Sequence, residues 1–558
     1  MVLMRVIRDQ PIPFVNSISV YEKRSHTMEQ MLLTGNEAIA LAARDGGVRL
    51  GTGYPGTPST EILENFDRFG GQAQWAPNEK VALEVGLGSA YGNARTLVTM
   101  KHVGLNVAAD PFFSAAYTGV IGALVIAVAD DPGMHSSQNE QDSRRYAEAA
   151  GVPMLEPSDS QEAYDYTLKA IEISERWNTP VMIRLTTRIC HSKSLVTPLR
   201  DPLNTRPAAF QRDIPGLVMI PAYARIAHQR LRERLNEIAA WNEKEGPFVE
   251  VEGDADTGIV TSGVSFMHAC EAAPKARVLK VGMTYPIPFR RIRKFADGVK
   301  RCVVVEEGDP WLVTALKAEG VPVTGKQERY RFGELTVDRV RRILNNDTSP
   351  EPKPEPGRPP RLCPDCPHRV AFAALSKANC IVTGDIGCYT LGVLPPFEAM
   401  DTCACMGASI GVGLGLRHVL PREEARRVVS VIGDSTFVHS GITGLAEMAY
   451  NPPPTGHVVL ILDNDITAMT GMQEHPGTGR RLDREETPSK LNYEALALSL
   501  GIQDVHVCDP VDDPEDFERM LNDALANERL TLIVARKPCP LLTRKTAASE
   551  ASCEAAKS

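Results

Sequence analysis

No stretch of the 558-residue chain is apolar for long enough to cross a bilayer. Residues 1–27 mix polar and apolar side chains without an h-region, which argues against a secretory signal. Met28 is an alternative start, because strong patterning begins just after it. Basic charge is not in excess either: Lys+Arg 61 against Asp+Glu 70 gives a net charge of −9, the wrong sign for gripping nucleic acid by phosphate neutralisation. The twelve cysteines lack the regular spacing of a secreted disulfide scaffold, and no short-period repeat is visible. A cytoplasmic protein with mostly free thiols, no nucleic-acid partner and no membrane segment is expected. Its length exceeds one hydrophobic core, so about three or four domains are expected.

What is present is an α/β rhythm. Residues 34–197 alternate glycine-rich turns, helical patterns and short β-branched runs, such as Arg95–Met100, Ala123–Val128 and Pro180–Leu185. Short buried strands between helices imply parallel sheets with crossovers. Residues 200–254 are polar and rich in Arg and Glu, with helical patterning around Ala222–Asn242. The α/β rhythm returns over 256–345, in Thr257–Thr261, Val278–Val281 and Val303–Glu307. Residues 347–360 hold six prolines and must stay extended. A third α/β unit covers 361–540, and the Ala/Ser/Lys-rich tail is expected to be disordered.

The most informative stretch is Val428–Ser435, a strand ending in Gly433-Asp434-Ser435. A helix pattern, Gly441–Tyr450, and a Pro-rich turn lead to a second strand, Val458–Asn464. In such a βαβ unit Asp434 and Asn464 share the C-terminal sheet edge, where open α/β sheets bind ligands. Mg²⁺ prefers hard oxygen donors: the Asp434 carboxylate, the Asn464 amide oxygen and the Ile466 carbonyl offer three. Gly433 lets the backbone approach a phosphate. An isolated Gly-Asp-Ser is more often a cap or turn; the strand–helix–strand context reverses that preference.

This segment resembles the GDG…N motif of thiamine-diphosphate enzymes. More closely, Leu462–Gly471 is similar to the large subunit of indolepyruvate:ferredoxin oxidoreductases, as are Tyr54–Thr60, Asn78–Glu84, Thr99–Asn106 and His135–Asp142. The resemblance spans residues 33–540, with Ser435 in place of the motif's last glycine and a slightly longer spacing to the asparagine. It implies a thiamine-diphosphate-binding α/β fold: pyrimidine and diphosphate domains of parallel sheets flanked by helices, plus a transketolase-C-like domain. The expected division is an N-terminal extension (1–27), pyrimidine domain (28–200), connector (201–255), transketolase-C-like domain (256–345), linker (346–360), diphosphate domain (361–540) and tail (541–558).

The resemblance also implies residue roles. Gly433, Asp434, Ser435, Asn464, Ile466 and Thr467 would hold the cofactor, with Asp434, Asn464 and Ile466 on Mg²⁺. Glu79 would face N1′ of the aminopyrimidine, with Glu84 as fallback; by itself Glu79 reads as an acidic first-turn residue favoured by the helix dipole. Thr57 would contact the substrate's carboxylate or carbonyl, and it also reads as a cap for a helix beginning near Ser59. His135 either bonds substrate or orders its loop, and Lys101 and His102 are candidate carboxylate or coenzyme A contacts.

Cys363-Pro-Asp-Cys366 has three readings: a zinc half-site, a redox pair or iron–sulfur ligands. The resemblance implies that Cys363, Cys366, Cys388 and Cys539 hold one [4Fe–4S] cluster, with Cys403 and Cys405 as substitutes. Cys190, Cys270, Cys302 and Cys380 sit in apolar contexts and read as core. The family's usual C-terminal ferredoxin-like runs do not occur in this sequence. Electrons are therefore expected to leave through a partner, or the intermediate is not oxidised. The implied activity is decarboxylation of an aryl 2-oxoacid to an acyl-CoA with electrons passed to ferredoxin or another acceptor. The implied assembly is a homodimer of this chain with a small γ-type subunit. A non-oxidative decarboxylase or carboligase and a catalytically silent subunit are the rival readings.

Overall fold

The computed structural model describes residues 30–352, 360–483, 485–487 and 489–542; the N-terminal extension, half of the proline-rich run and most of the tail lie outside them. The chain divides into two compact units. One comprises residues up to Gln74 and Glu79–Pro352; the other comprises Trp75–Asn78 and the residues from Lys353 onward.

The first unit opens on a short strand, Met31–Thr34, which pairs antiparallel with Lys193–Val196. The helix Gly35–Asp45 follows. Its start is written in Thr-Gly-Asn-Glu: the Thr34 hydroxyl accepts from Glu37 N at 3.1 Å, and the Glu37 carboxylate accepts from Thr34 N at 2.8 Å. A seven-stranded sheet has the spatial order Met283–Tyr285, Met154–Leu155, Val181–Thr186, Ala123–Asp130, Arg95–Lys101, Leu50–Gly53 and Ala73–Trp75. Every residue of its central strand Ala123–Asp130 is buried, so the run shows no apolar–polar alternation.

A five-stranded sheet in the same unit runs Val323–Thr324, Arg301–Val305, Asp254–Thr261, Ala276–Val281 and Phe248–Val251. Two features differ from the expected segmentation. Phe248–Val251, within the expected connector, joins this sheet antiparallel to Ala276–Val281. Met283–Tyr285, within the 256–345 segment, closes the edge of the seven-stranded sheet. The two sheets are thus laced together. The helix expected around 222–242 spans Pro221–Glu245.

A buried ion network reinforces the lacing. Arg144 donates to Glu306 at 2.6 Å and Asp142 at 2.7 Å, and Arg184 donates to Asp130 at 2.6 Å and Glu156 at 2.7 Å. Buried charges persist only when paired in this way.

The second unit is built on a six-stranded parallel sheet: Thr402–Cys403, Ile381–Gly384, Val428–Gly433, His457–Asp463, Leu530–Arg536 and Asp504–Cys508. Its strands read as unbroken apolar runs because both faces are covered. Val429, Val431, Leu460 and Ile533 pack into one core; Ile432, Val459, Ile461 and Val534 pack into the other. Strand order reverses between Ile381–Gly384 and Val428–Gly433, since the chain leaves the first outward to Thr402–Cys403 and returns on the opposite side. A ligand crevice is expected at the C-terminal ends of strands at such a reversal.

Candidate active site

At that reversal the strand Val428–Gly433 runs directly into Asp434–Thr436, and a π-helical turn over Phe437–Gly441 precedes the helix Ile442–Tyr450. Asp434 is 2% exposed. Its Oδ1 accepts from Ser435 N at 2.8 Å, while Oδ2 is buried without an aligned hydrogen bond. Burial pushes this carboxyl up, but His475 and the hydrogen bonds around it prevail, and the net direction is down. Asp463, hydrogen-bonded to Asp434 and gripped by Arg536 at 2.6 Å, moves up through burial and the neighbouring negative charge. Of the two carboxyls, Asp434 is thus the stronger acid and the one that holds its negative charge more firmly.

The room at Gly433 is taken by a side chain: a Cβ there would lie 2.6 Å from Cε1 of Tyr389. Packing against Tyr389 alone therefore demands the glycine, beside the expected phosphate approach. Ser435 and Thr467 meet at 2.7 Å between their hydroxyls.

Asn464 follows the adjacent strand and is 8% exposed. Its Nδ2 lies 3.4 Å from His368 Nε2, and burial pushes His368 down to about 4, so the neutral ring accepts. This fixes the amide with Oδ1 turned away from His368, toward Ile466 N at 3.3 Å. Ile466 is buried behind Asp465, whose φ of 61° turns the chain sharply.

His368 lies two residues beyond Cys366. Burial pushes the Cys366 thiol up to about 12, and Cys388, Cys363 and Cys539 add to it; Cys388, up to about 11 through burial, senses Cys539 and Cys363 in turn. The four expected thiols are thus gathered within electrostatic range of one another. Cys403 and Cys405 lie exposed, influenced by Asp385 and not by those four. Cys190 and Cys302 are buried as expected, whereas Cys270 and Cys380 are only half-buried against their cores. Among the described residues no group of three or more His, Cys, Asp or Glu is disposed to hold a metal ion. An Asp, an Asn amide and a main-chain carbonyl would not form such a group.

In the first unit, Glu79 opens the helix Glu79–Tyr91 and is 4% exposed. Its carboxylate packs onto Gly104, where a Cβ would lie 2.4 Å from Oε1. A buried carboxylate is more than the solvated first-turn acid that the dipole alone would favour. Glu84, on the same helix, is exposed and paired with Lys80.

Thr57 precedes the helix Thr60–Arg68, whose N-cap Ser59 makes no side-chain capping bond. Instead the Thr60 hydroxyl accepts from Gly56 N at 2.9 Å. The capping role expected of Thr57 is therefore not the one observed; its carbonyl accepts from the Ser136 hydroxyl at 3.2 Å. His135 has a 53% exposed side chain and pairs with Glu334 at 3.0 Å, a loop-ordering contact. Lys101 is buried and donates to Ser136 O at 2.7 Å, and burial pulls its ammonium down to about 8. His102 Nε2 meets Asn139 O at 3.2 Å.

Sequence reasoning missed His475, His368 and Asp463. Asp463 sits inside an apolar strand and His475 on a turn, with no periodicity to single them out. His368 carried a signal, its place directly after Cys-Pro-Asp-Cys-Pro.

Known proteins share this architecture. A family model described as thiamine pyrophosphate enzyme, C-terminal TPP binding domain, matches residues 385–535; one described as pyruvate flavodoxin/ferredoxin oxidoreductase, thiamine diP-bdg, matches residues 41–216. The indolepyruvate oxidoreductase subunit IorA of Archaeoglobus fulgidus is 38% identical, covering 92% of this chain and 87% of its own length. Its counterpart in Thermococcus kodakarensis is also 38% identical, over 92% and 86%. A solved 2-oxoglutarate:ferredoxin oxidoreductase from Magnetococcus marinus is more distant, with a TM-score of 0.49 and 16% identity over 57% of this chain and 65% of that one.

Parallel-sheet units and both family matches define a thiamine-diphosphate-dependent 2-oxoacid oxidoreductase. Identity of 38% over most of both chains narrows the class: the chain belongs to the family of the indolepyruvate oxidoreductase subunit IorA. Among the described residues no helix is long and apolar enough to cross a membrane.

Proposed function

We propose that this chain is the large subunit of an enzyme that oxidatively decarboxylates an aryl 2-oxoacid of the indolepyruvate type to its acyl-CoA. The observation that carries the reading is the buried Asp434 carboxylate at the sheet reversal, whose Oδ2 meets the His475 ring at 3.3 Å without hydrogen-bond alignment, with Asn464 oriented beside it by His368. A buried anionic oxygen with no aligned donor is costly unless a cation completes it. Asp434, Asn464 and the Ile466 carbonyl hold Mg²⁺, while Gly433, Ser435 and Thr467 meet the diphosphate. Glu79 holds a proton at N1′ of the aminopyrimidine, and Thr57 orients the substrate's carboxylate or carbonyl. Bound thiamine diphosphate supplies the carbon nucleophile and electron sink that the keto carbon needs. His135, tied to Glu334, orders its own loop.

Cys363, Cys366, Cys388 and Cys539 hold one [4Fe–4S] cluster. The electrostatic influence of these thiols on Cys366 and Cys388 supports a shared site for soft thiolate ligands. The expected domain division, with a pyrimidine domain before a transketolase-C-like domain and a diphosphate domain last, belongs to this reading. So do a homodimer, a separate small γ-type subunit, ferredoxin or a related acceptor, and a cytoplasmic location.

The deciding measurement is iron, acid-labile sulfide, zinc and thiamine diphosphate in protein purified without oxygen. About four irons and four sulfides per chain, lost on Cys363→Ala, are expected. Bound thiamine diphosphate without iron would overturn the oxidative reading in favour of a decarboxylase or carboligase.

A further inference from the structure

After the strand His457–Asp463 the chain makes an excursion that returns at Thr467 and Gln473, where Thr467 N donates to Gln473 O at 3.0 Å and Gln473 N to Thr467 O at 3.2 Å. Two residues on, this excursion sets His475 against Asp434. The imidazole is 6% exposed, and its Nδ1 accepts from Gly477 N at 3.1 Å. A neutral ring that accepts at Nδ1 carries its proton on Nε2, so Nε2 is a donor. That donor is buried and faces Asp434 Oδ2 at 3.3 Å, a contact too poorly aligned to count as a hydrogen bond for either atom.

Each of the two buried groups is thus only partly satisfied by the other: the carboxylate still has room for a cation, and the imidazole N–H can turn to a better-aligned anionic oxygen. A divalent cation bound to an organic diphosphate supplies both. We propose that His475 is a binding residue of the thiamine diphosphate site, donating from Nε2 to a phosphate oxygen while Asp434 holds the cation. The proposal rests on the reading of this crevice as that cofactor's site. It assigns to His475 the choice of a diphosphate over a bare metal ion.

The test is calorimetric titration of thiamine diphosphate, with Mg²⁺ present, into the full chain carrying His475→Asn or His475→Gln. Asn retains an acceptor for Gly477 N and removes the distal donor; Gln places an N–H near the Nε2 position and gives up the Gly477 bond. Affinity is expected to fall about tenfold or more in the Asn variant and to stay within about threefold in the Gln variant. Mn²⁺ binding without cofactor, read by electron paramagnetic resonance, is expected to be unchanged in both. The opposite order, equal losses or no loss in either variant overturns the proposal, because the histidine then serves only its loop. An Asp434→Asn arm separates the two levels. Cofactor binding lost there but intact in His475→Asn rejects the histidine's role alone. Cofactor binding intact in Asp434→Asn rejects the site reading and this proposal together.

Discussion

The amide of Cys539 donates to the carbonyl of Asn464 at 3.0 Å. The end of one strand thereby carries the amide proposed for Mg²⁺, and the end of its neighbour carries a thiol proposed for the cluster. From the other side, Cys366-Pro-His368 connects a second such thiol to the same asparagine. The residues proposed for the cofactor and for the cluster are therefore parts of one bonded construction, which would suit electrons leaving the cofactor by a short path.

That construction separates ligand thiols from spectators. Cys366→Ser and Cys388→Ser are expected to lose most of the iron and the broad visible absorption of the purified protein. Cys403→Ser with Cys405→Ser is expected to keep both, because these two lie exposed and apart from the set of four. Iron analysis and absorption spectra of the variants check this, and iron loss in the Cys403/Cys405 variant would reassign the ligands.

Replacing His368 by Leu frees the Asn464 amide to rotate and present Nδ2 to the cation. Loss of one buried hydrogen bond is worth about 1 kcal/mol, so Mg²⁺-dependent thiamine diphosphate affinity should fall roughly fivefold. Titration at several Mg²⁺ concentrations measures it, and an unchanged affinity would mean that Asn464 orients without the histidine.

Glu79→Gln should lower turnover by about a hundredfold or more while thiamine diphosphate still binds, as expected for a group that holds a proton during the reaction. Steady-state rates beside calorimetric affinity separate the two effects. A variant with near-normal turnover would return Glu79 to a structural role and point to another acid.

Much of this was legible in the residues themselves. The runs Val428–Gly433 and Val458–Asp463 announce strands buried on both faces, and the Asp434-to-Asn464 spacing announces one sheet edge. Patterning does not reveal partners distant in sequence. Phe248–Val251 and Met283–Tyr285 join different sheets because of three-dimensional pairing, although both lie in or beside segments read as separate domains. For the same reason His475 was invisible, since only folding sets it opposite Asp434. Thr57 shows the converse: the pattern places its turn before the helix Thr60–Arg68, but no side chain caps that helix, and the Thr60 hydroxyl instead ties back to Gly56 N.

The lacing of the two sheets makes Arg144 a stability determinant. Arg144→Met would leave Glu306 buried without its cation and Asp142 with only the more distant Arg184, a loss of about 3–5 kcal/mol. Adding Glu306→Gln should restore part of it, since removal of both charges is milder than removal of one. Thermal unfolding of the single and double variants checks the sign, and additive losses would show that the pair is not coupled.

Glu307 gives the first unit a pH response of calculable sign. Burial pushes its carboxyl from the ordinary 4.5 up to about 7, against the pull of Lys326 and a hydrogen bond from Leu335 N at 3.0 Å; Glu334 adds to the rise and Arg184 opposes it. The folded protein thus holds this proton more tightly than the unfolded chain does. The resulting stability is fully present below pH 4.5 and is lost as pH rises through about 7. Glu307→Gln keeps an acceptor for Leu335 N and never ionises, so it should match the parent near pH 4.5 and exceed it above pH 7. The gain is bounded at about 3 kcal/mol by the size of the displacement, and is smaller because Lys326 loses a nearby anion. Melting temperatures of both proteins across that range measure it. Curves that stay parallel would show that Glu307 ionises in the folded state as freely as in the unfolded chain.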